Sequence, residues 1–583
     1  MGPGTSMTPG CDPAVPEPRG PESRGPESHG LKPQGPRSPD PGPRRTGSVT
    51  STIAGAAGAI AVLTLLSRVI GFGRYLVFAD AVRSGGVGGV YNAVNAIPNV
   101  FYEVAAGGVL AAVAVPLIGA AIGAGRAKQA HRIASVLLTW TLLGLVPLAL
   151  LVLLTAPWLA AFVVPDGLPA AQQVGSRLLR IFAVQIPLYG VGIVLSGLLQ
   201  AHRRFLAVAL APLLSSLTVI ATYLVYGALS DGRTDPGAVP GEAITVLGWG
   251  TTLGVVALSL PLLGPALATG WRPTPALRLG DGIGRRLGQL ALAGIVALAA
   301  QQLATVVVMR LSRATGDPGT FTVYGYAQAV YVLPYAVLAV PIATSVFPSL
   351  AQSTGANLDV APLVSRALKA VLALTGVAAG VLMAVAAPIG SFFTALDARR
   401  GSAPSTEALA ALPTALVAYA PGLVGFAAVA VLTRALYVRG SAPAAGAAVA
   451  GGWLVAAVVP FALVGDQPTP EVTLRALGIG STIGMTVAAL TLGLLVRRAW
   501  GPPALAGVNR SAAVVVVAMS VALLVGDLVS RLVGGHGVWG ALVSGIVGGS
   551  AAVVAGLAVV MIGDHDTVAA AIRRGRSRRR REP

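Results

Sequence analysis

The sequence predicts an all-α integral membrane protein with about 14 transmembrane helices, made of two six-helix lobes and two further C-terminal helices. Composition is the first reason: 54% of the residues are hydrophobic, 11% are charged, and the mean hydropathy is +0.76. Soluble domains carry about twice that share of charge. The second reason is a series of apolar runs that can cross about 30 Å of hydrocarbon, where lipid forces the backbone into helices. An internal repeat is the third.

The repeat has a period of about 233 residues. Its landmarks are Val90-Tyr91 with Val323-Tyr324, Val115-Pro116 with Phe347-Pro348, Ala156-Pro157 with Ala387-Pro388, and Pro187 with Pro421, at offsets of 231 to 234 residues. Each repeat holds an even number of predicted helices, so the two lobes share one orientation in the membrane. Repeat-built transporters of this kind bind their substrate between the two lobes.

The elements follow in order along the chain. Residues 1–50 are rich in Pro, Gly, Ser and Arg without apolar periodicity, which is typical of a disordered extension. The first apolar run is too long for a signal peptide, and we expect it to remain as the first span. The predicted divisions are the extension 1–50, the first lobe 51–270, the second lobe 271–500, helices 13 and 14 over 501–562, and a basic cytoplasmic tail over 563–583.

Loop charges predict the orientation. Arginine and lysine concentrate in the loops after even-numbered helices, and most acidic residues follow odd-numbered ones. The positive-inside rule therefore places both termini in the cytoplasm, with the chain crossing the plasma membrane many times. The net charge of +19 lies in these loops and the tail, which favours membrane lipids as partners and gives no reason to expect nucleic acid.

The sequence offers no sign of an enzyme. No nucleophile–base set or phosphate-binding glycine loop is present, and Cys11 is the single cysteine, so a disulfide framework or cysteine metal site is excluded. We expect neither a metal nor a cofactor.

Two polar stripes are the candidate binding surfaces. At 100° per residue, the polar side chains of helix 2 fall within about 100° of one another and those of helix 8 within about 60°. The stripes are Asn92, Asn95, Asn99, Tyr102 and Glu103 on helix 2, and Tyr324, Gln328, Tyr331 and Tyr335 on helix 8. They match under the repeat and predict a wet cleft between the lobes. The alternative is that they only join neighbouring helices by hydrogen bonds.

Three arginines within predicted spans add positive charge. Arg68 and Arg74 lie in helix 1 and Arg310 near the outer end of helix 7. A charge inside a span is costly and usually faces protein or water, and the arginine fork suits phosphate oxygens. Arg74 and Arg310 could instead extend to the membrane interface. Glu103 could pair with an arginine or carry a coupling proton.

The stretch Ser67-Arg68-Val69-Ile70-Gly71-Phe72-Gly73-Arg74 resembles the first-helix signature of the MurJ/MviN family of lipid II flippases. Further similarities are Ile97-Pro98-Asn99, Val115-Pro116, Gln200-Ala201-His202-Arg203-Arg204-Phe205, Ala211-Pro212 and Phe347-Pro348-Ser349-Leu350. The resemblance covers about residues 53 to 562, including two extra helices at the C-terminal end.

This resemblance implies the fold of the multidrug/oligosaccharidyl-lipid/polysaccharide exporter superfamily. It also implies that the substrate is lipid II, the undecaprenyl-pyrophosphate-linked peptidoglycan precursor, flipped to the outer leaflet by alternating access. The implied partners are a lipid-linked saccharide, membrane lipids and cell-wall synthesis proteins. Arg68 and Arg74 align with cavity arginines of the family.

Other family charges are not kept. Tyr102 stands where the family has a basic residue, and Gln328, Ala329 and Val332 stand where helix 8 of the family carries an Asp-Arg pair and a Glu. Three alternatives therefore stay open: a flippase for another polyprenyl-linked saccharide, a cation-coupled drug exporter on the same fold, and a transport-inactive scaffold in cell-wall assembly.

Overall fold

A computed structural model describes residues 47–104, 111–278, 283–344, 360–400 and 407–563. The predicted extension over 1–50 and the tail over 563–583 lie almost entirely outside the described residues. Every regular element within those ranges is helical. The helices are α1 (Gly47–Ala81), α2 (Gly86–Glu103), α3 (Ala111–Gly123), α4 (Ala127–Leu154), α5 (Ala156–Val163), α6 (Pro169–Phe182), α7 (Gln185–Ala201), α8 (Phe205–Ser230), α9 (Gly241–Ser259), α10 (Leu263–Leu267), α11 (Ile283–Ala314), α12 (Thr320–Pro334), α13 (Ala361–Ala384), α14 (Ala386–Asp397), α15 (Glu407–Ala410), α16 (Leu412–Tyr419), α17 (Gly422–Val438), α18 (Ala442–Val464), α19 (Pro470–Trp500), α20 (Val508–Val533) and α21 (Gly537–Gly563).

The many-span prediction is confirmed. Within the described residues, 11 helical stretches are long and apolar enough to cross a membrane. Counting α16 and α17 as one span bent by 42° raises the number to 12. The total of 14 stays a prediction.

Several predicted spans are two helices separated by a break. The third predicted span, over 133–164, breaks at Thr155 between α4 and α5, and the ninth, over 363–394, breaks at Val385 between α13 and α14. Pro157 and Pro388 lie in the first turn after each break, where a missing N–H costs no helical hydrogen bond. The two breaks occupy corresponding places in the repeat, so the repeat is visible in the helix pattern as well as in the sequence.

The two repeats share one hydrophobic core. We call residues 57–270 the first half and residues 283–500 the second half. Phe78 of the first half lies edge-on to Tyr326 of the second, with ring centroids 6.4 Å apart, and both belong to the same buried cluster. The backbones also approach closely, because a Cβ on Gly89 would overlap the carbonyl oxygen of Pro318. Only glycine fits at this position of α2.

A buried ion pair joins the same two halves. Arg83 Nη2 lies 3.1 Å from Asp397 Oδ2, and both side chains are 3% exposed. Ser84 donates to the other carboxylate oxygen from its backbone N–H, at 2.9 Å, and from its hydroxyl, at 3.1 Å. The loop between α1 and α2 is thereby fixed to the end of α14.

The last two helices pack through small residues. A Cβ on Gly526 of α20 would lie 2.6 Å from the Cβ of Ala552 on α21. Ser544 of α21 donates to the carbonyl of Ser530 at 2.7 Å. Small side chains permit such close backbone approach between membrane helices, where lipid provides no hydrophobic force to join them.

Candidate functional site

A polar cavity of about 240 Å³ lies between the two halves. Its walls come from α1, α2, α7, α8 and α9 of the first half and α12 of the second. The lining residues are Arg74, Tyr75, Phe78, Tyr91, Asn92, Asn95, Ala96, Asn99, Tyr189, Ser215, Val219, Tyr223, Thr251, Val255, Phe321, Thr322, Gly325 and Tyr326. Four predicted site residues, Arg74, Asn92, Asn95 and Asn99, are therefore brought together here.

The three asparagines of α2 are held by different partners. Asn92 donates across the interface to the hydroxyl of Thr322 on α12, at 3.1 Å. Asn99 donates to the backbone carbonyl of Asn95 at 2.9 Å and accepts from the hydroxyl of Tyr189 at 3.1 Å. The side-chain oxygen of Asn95 is buried and has no hydrogen-bond partner among the described residues. It is an acceptor available to a donor within the cavity.

Sequence reasoning missed a second polar group. The hydroxyl of Tyr91 lies 3.0 Å from the hydroxyl of Tyr223 on α8 and 3.0 Å from that of Thr251 on α9. All three residues line the cavity. Tyr223 follows Thr222 and Thr251 precedes Thr252, and no polar stripe was predicted from the sequence on α8 or α9. The repeat landmark Val90-Tyr91 marked only one of the three.

Arg74 provides positive charge at the cavity wall. Its guanidinium carbon lies 5.7 Å from the ring centroid of Tyr75, and no acidic residue lines the cavity among the described residues. Arg68 lies six residues earlier on α1, about 9 Å along the helix axis, and its side chain is exposed. Glu103 is exposed as well, and within the described ranges no ion pair joins it to Arg68. The positive charge of Arg74 is thus available to an anionic ligand.

The α12 stripe lies outside this cavity. Tyr331 packs against Tyr419 of α16 and Phe426 of α17, with ring centroids 5.7 and 6.3 Å apart, and Tyr335 lies 4.3 Å from Phe426. Tyr324 also faces Tyr419, at 6.3 Å, and Gln328 is adjacent to the Tyr419 hydroxyl. A different face of α12, including Thr322 and Tyr326, lines the cavity. The two predicted stripes therefore do not face each other.

The remaining predicted residues are dispersed. Tyr102 packs on Tyr189, with ring centroids 4.4 Å apart, next to the cavity. Arg310 is exposed, with its guanidinium carbon 5.3 Å from the ring centroid of Phe162, so it lies apart from Arg74.

Arg434 is a cation that sequence reasoning assigned only to loop charge. It acts electrostatically on the hydroxyl of Tyr335 together with Arg68. Its Nη1 donates to the carbonyl of Ala430 at 2.7 Å. The only sequence signal was its place in the repeat, where Gln200 is the polar counterpart.

An apolar groove of about 420 Å³ lies between α1, α12, α13 and α21. Its lining is Phe72, Val330, Leu333, Pro334, Leu338, Leu374, Val377, Ala378, Val381, Leu382, Val385, Ile389, Val553 and Leu557. Phe72 belongs to the same helix as Arg68 and Arg74, so α1 contributes to both the polar cavity and the apolar groove. Such a pair of surfaces suits a ligand with a charged head and a hydrocarbon tail. In the part of the chain that the structure describes, no cluster of His, Cys, Asp and Glu could hold a metal ion.

Comparison with known proteins decides the family. A family profile described as lipid II flippase MurJ matches residues 78–548, which is most of the chain. The chain belongs to the MurJ family.

Two curated relatives are each described as a probable lipid II flippase MurJ. The one from Rhizobium tropici is 27% identical over 326 residues, covering 54% of this chain and 58% of the relative. The one from Rhizobium meliloti (strain 1021) is 26% identical over 343 residues, covering 56% and 60%. The chain thus spans about three fifths of the length of these MurJ relatives.

Solved structures support the MurJ fold. A lipid II flippase MurJ in an inward closed conformation is 17% identical, with a TM-score of 0.67, and the match covers 87% of this chain and 99% of that one. A multidrug resistance MATE family transporter of the MOP superfamily, in an inward-facing conformation, is 16% identical with a TM-score of 0.59, covering 77% and 98%. At these identities the likeness establishes the fold alone.

Proposed function

We propose that this protein flips a polyprenyl-pyrophosphate-linked saccharide, lipid II, from the inner to the outer leaflet of the bacterial plasma membrane by alternating access. Membership of the MurJ family supports this substrate class. The observation that carries the proposal is the position of Arg74, whose positive charge lies in a polar cavity between the two halves, where none of the described lining residues is acidic.

Each part of the substrate has a surface of matching chemistry. The planar guanidinium of Arg74 can bind two pyrophosphate oxygens at once. The free acceptor of Asn95 and the hydroxyls of Tyr91 and Tyr189 suit the hydroxyl and amide groups of a saccharide-peptide. The apolar groove beside Phe72 can take part of the polyprenyl tail while the rest stays in lipid.

Alternating access requires contacts between the halves that form and break. On the predicted orientation, the Arg83–Asp397 ion pair and the Gly89–Pro318 contact both lie toward the outer face. We infer that they close the outer side while the cavity receives substrate from the inner side. Rocking of one half against the other would then open them.

The second half gives one reason to keep a related substrate as the alternative. Its predicted stripe is aromatic and uncharged, with Tyr324, Tyr331 and Tyr335 packed on neighbouring rings. This favours a flippase for another polyprenyl-linked saccharide, or a transport-inactive scaffold, over a protein with a fully cationic cleft. A cation-coupled drug exporter is the weakest alternative, since its cavity should carry acidic rather than basic groups.

Complementation tests the proposed function. The gene would be expressed in bacteria depleted of their own lipid II flippase, and labelled precursor would be followed to the outer leaflet. We expect growth and outer-leaflet labelling to be restored. If the protein inserts at normal levels but labelled precursor stays inside, the flippase proposal fails and the scaffold gains weight.

Cysteine labelling tests the orientation. In a Cys11→Ser background, cysteine would be placed at two exposed positions: Ala238, after α8, and Ala124, after α3. We expect an impermeant maleimide to label the first from outside the cell and the second only after permeabilisation. The reverse pattern would overturn the cytoplasmic placement of both termini.

A further inference from the structure

A second, larger groove lies away from the polar cavity. It has a volume of about 970 Å³ and is open to the surroundings along the start of α4. Its lining is Lys128, His131, Arg132, Ser135, Thr139, Leu143, Gly270, Arg272, Thr274, Pro275, Ala276, Leu277 and Arg278. We call it the basic groove. None of its residues belongs to the site proposed for transport.

The groove is built by a non-helical segment, residues 271–278, that runs beside α4. Trp271 donates to the hydroxyl of Ser135 at 3.1 Å, and the backbone N–H of Ala276 donates to Thr139 at 3.2 Å. Trp140 donates its indole N–H to the carbonyl of Leu277 at 3.1 Å. Side chains of α4 thus form hydrogen bonds with this non-helical segment. These bonds fix the walls of the groove.

The charge of the groove is entirely positive. Lys128, Arg132, Arg272 and Arg278 are exposed, and no acidic residue lines the groove within the described ranges. Arg272 donates to the carbonyls of Leu267 and Trp271. For Lys128, Arg132 and Arg278, the described part of the chain provides no ion pair. Uncompensated cations at this density attract an anion.

One side chain in the groove has a buried, unsatisfied nitrogen. The Nε2 of His131 has no hydrogen-bond partner among the described residues, although it is shielded from solvent. Its ring stacks on that of His202, with centroids 5.8 Å apart, and this contact fixes its position. A buried polar atom without a partner is uncommon in a folded protein. A ligand that accepts or donates a hydrogen bond here would satisfy it.

The far end of the groove is apolar and faces lipid. Leu143 and Leu277 are each 60% exposed, and Trp140 beside them is 48% exposed. Leu143 follows Arg132 by eleven residues, about 16 Å along α4. Exposed tryptophan is typical of the membrane interface, where its ring lies at headgroup level. The groove therefore has a cationic end and an apolar end. The distance between them is about the length of a lipid headgroup with its first methylenes.

We propose that the basic groove binds an anionic phospholipid of the surrounding leaflet, with its phosphate on Lys128 and Arg132 and its acyl chains along Leu143 and Leu277. A free phosphate would not use the apolar end. The chain's own tail, residues 563–583, is itself basic and would be repelled. The proposal is independent of the substrate that the protein transports, because the groove and the polar cavity share no residue.

Native mass spectrometry of the full chain tests this binding. The protein would be released from nanodiscs of phosphatidylcholine doped with dioleoyl-phosphatidylglycerol, and bound lipids would be counted. We expect phosphatidylglycerol to be retained over phosphatidylcholine, and the double variant Lys128→Gln/Arg132→Gln to weaken that retention roughly tenfold. A matched control is Arg497→Gln/Arg498→Gln, which removes two exposed cations from the end of α19 outside the groove. It should retain phosphatidylglycerol like the unchanged protein.

Three outcomes would overturn the proposal. Equal losses in both double variants would mean that retention reflects total charge and not the groove. Displacement of the lipid by inorganic phosphate at equal concentration would identify a simple phosphate site. If a polyprenyl pyrophosphate displaces the bound phosphatidylglycerol and excess phosphatidylglycerol does not restore binding, the groove belongs to the substrate path. Circular dichroism of each variant confirms that folding is retained, and Arg278→Gln provides a second groove variant on the opposite wall.

Discussion

The polar stripes of α2 and α12 occupy corresponding places in the repeat but have different surroundings. On α2, Asn92 and Asn99 are hydrogen-bonded at the wall of the polar cavity near Arg74. On α12, Tyr331 and Tyr335 pack on the rings of Tyr419 and Phe426, away from that cavity. The repeat has conserved the position of polar residues along the helix while neighbouring helices set their chemistry. The first half provides most of the polar wall of the cavity, and the stripe of the second half is packed mainly among aromatic rings.

The largest difference that this comparison predicts is between two arginines, one in each half. Arg74→Ala should lower transport by at least about 100-fold, because each hydrogen bond to a charged group contributes about 1.5–3 kcal/mol and the guanidinium can make two. Arg310→Ala should leave transport nearly unchanged, since Arg310 lies on the ring of Phe162 outside the cavity. Outer-leaflet appearance of labelled lipid II, normalised to inserted protein, is the measurement. Equal effects would remove the distinction between the halves.

A second prediction compares ion pairs at the boundary between the halves. Asp397→Ala should lower the free energy of unfolding by about 3–5 kcal/mol, because it removes the buried carboxylate that pairs with Arg83 and accepts from Ser84. Asp166→Ala, which removes a carboxylate that is 79% exposed and paired with Arg313, should cost less than about 1 kcal/mol. Thermal unfolding in detergent measures both. Similar losses would mean that the Arg83–Asp397 pair does not fix the two halves together.

The smallest predicted effect concerns two tyrosine hydroxyls. Tyr91→Phe should cost about 1–3 kcal/mol of stability, since it removes the shared partner of Tyr223 and Thr251. Tyr331→Phe should be neutral or slightly stabilising, because the Tyr331 hydroxyl is buried without a described partner. A loss of transport in Tyr331→Phe at unchanged thermal stability would instead show that the second half contacts the substrate through this hydroxyl.

Periodicity explains what could be predicted from the sequence. Apolar runs placed the helices, and the stripe of Asn92, Asn95 and Asn99 together with Arg74 located one wall of the cavity. A polar stripe shows which face of a helix is polar. It does not show which neighbouring helix that face contacts. The rotation of α12, which turns Thr322 and Tyr326 toward the cavity, was therefore missed.

The contacts of individual polar residues on α8 and α9 also could not be predicted from the sequence. Tyr223 and Thr251 lie on α8 and α9 and meet Tyr91 only in the folded chain. The same holds for the basic groove, because loop cations were interpreted from the sequence as orienting charge and as a general attraction to membrane lipids, without a groove. Their proximity depends on residues 271–278 running back along α4, and no local sequence pattern predicts that path.

Reconstitution tests the central claim most directly. Purified protein in liposomes would be given fluorescent lipid II, and the fraction reaching the opposite leaflet would be read from chemical quenching. We expect the unchanged protein to redistribute lipid II rapidly, Arg74→Lys to keep partial activity and Arg74→Ala to have none. Fluorescent phosphatidylcholine should not be moved by any of the three proteins. Redistribution of lipid II by Arg74→Ala at the unchanged protein's rate would contradict the assignment of Arg74 to the pyrophosphate.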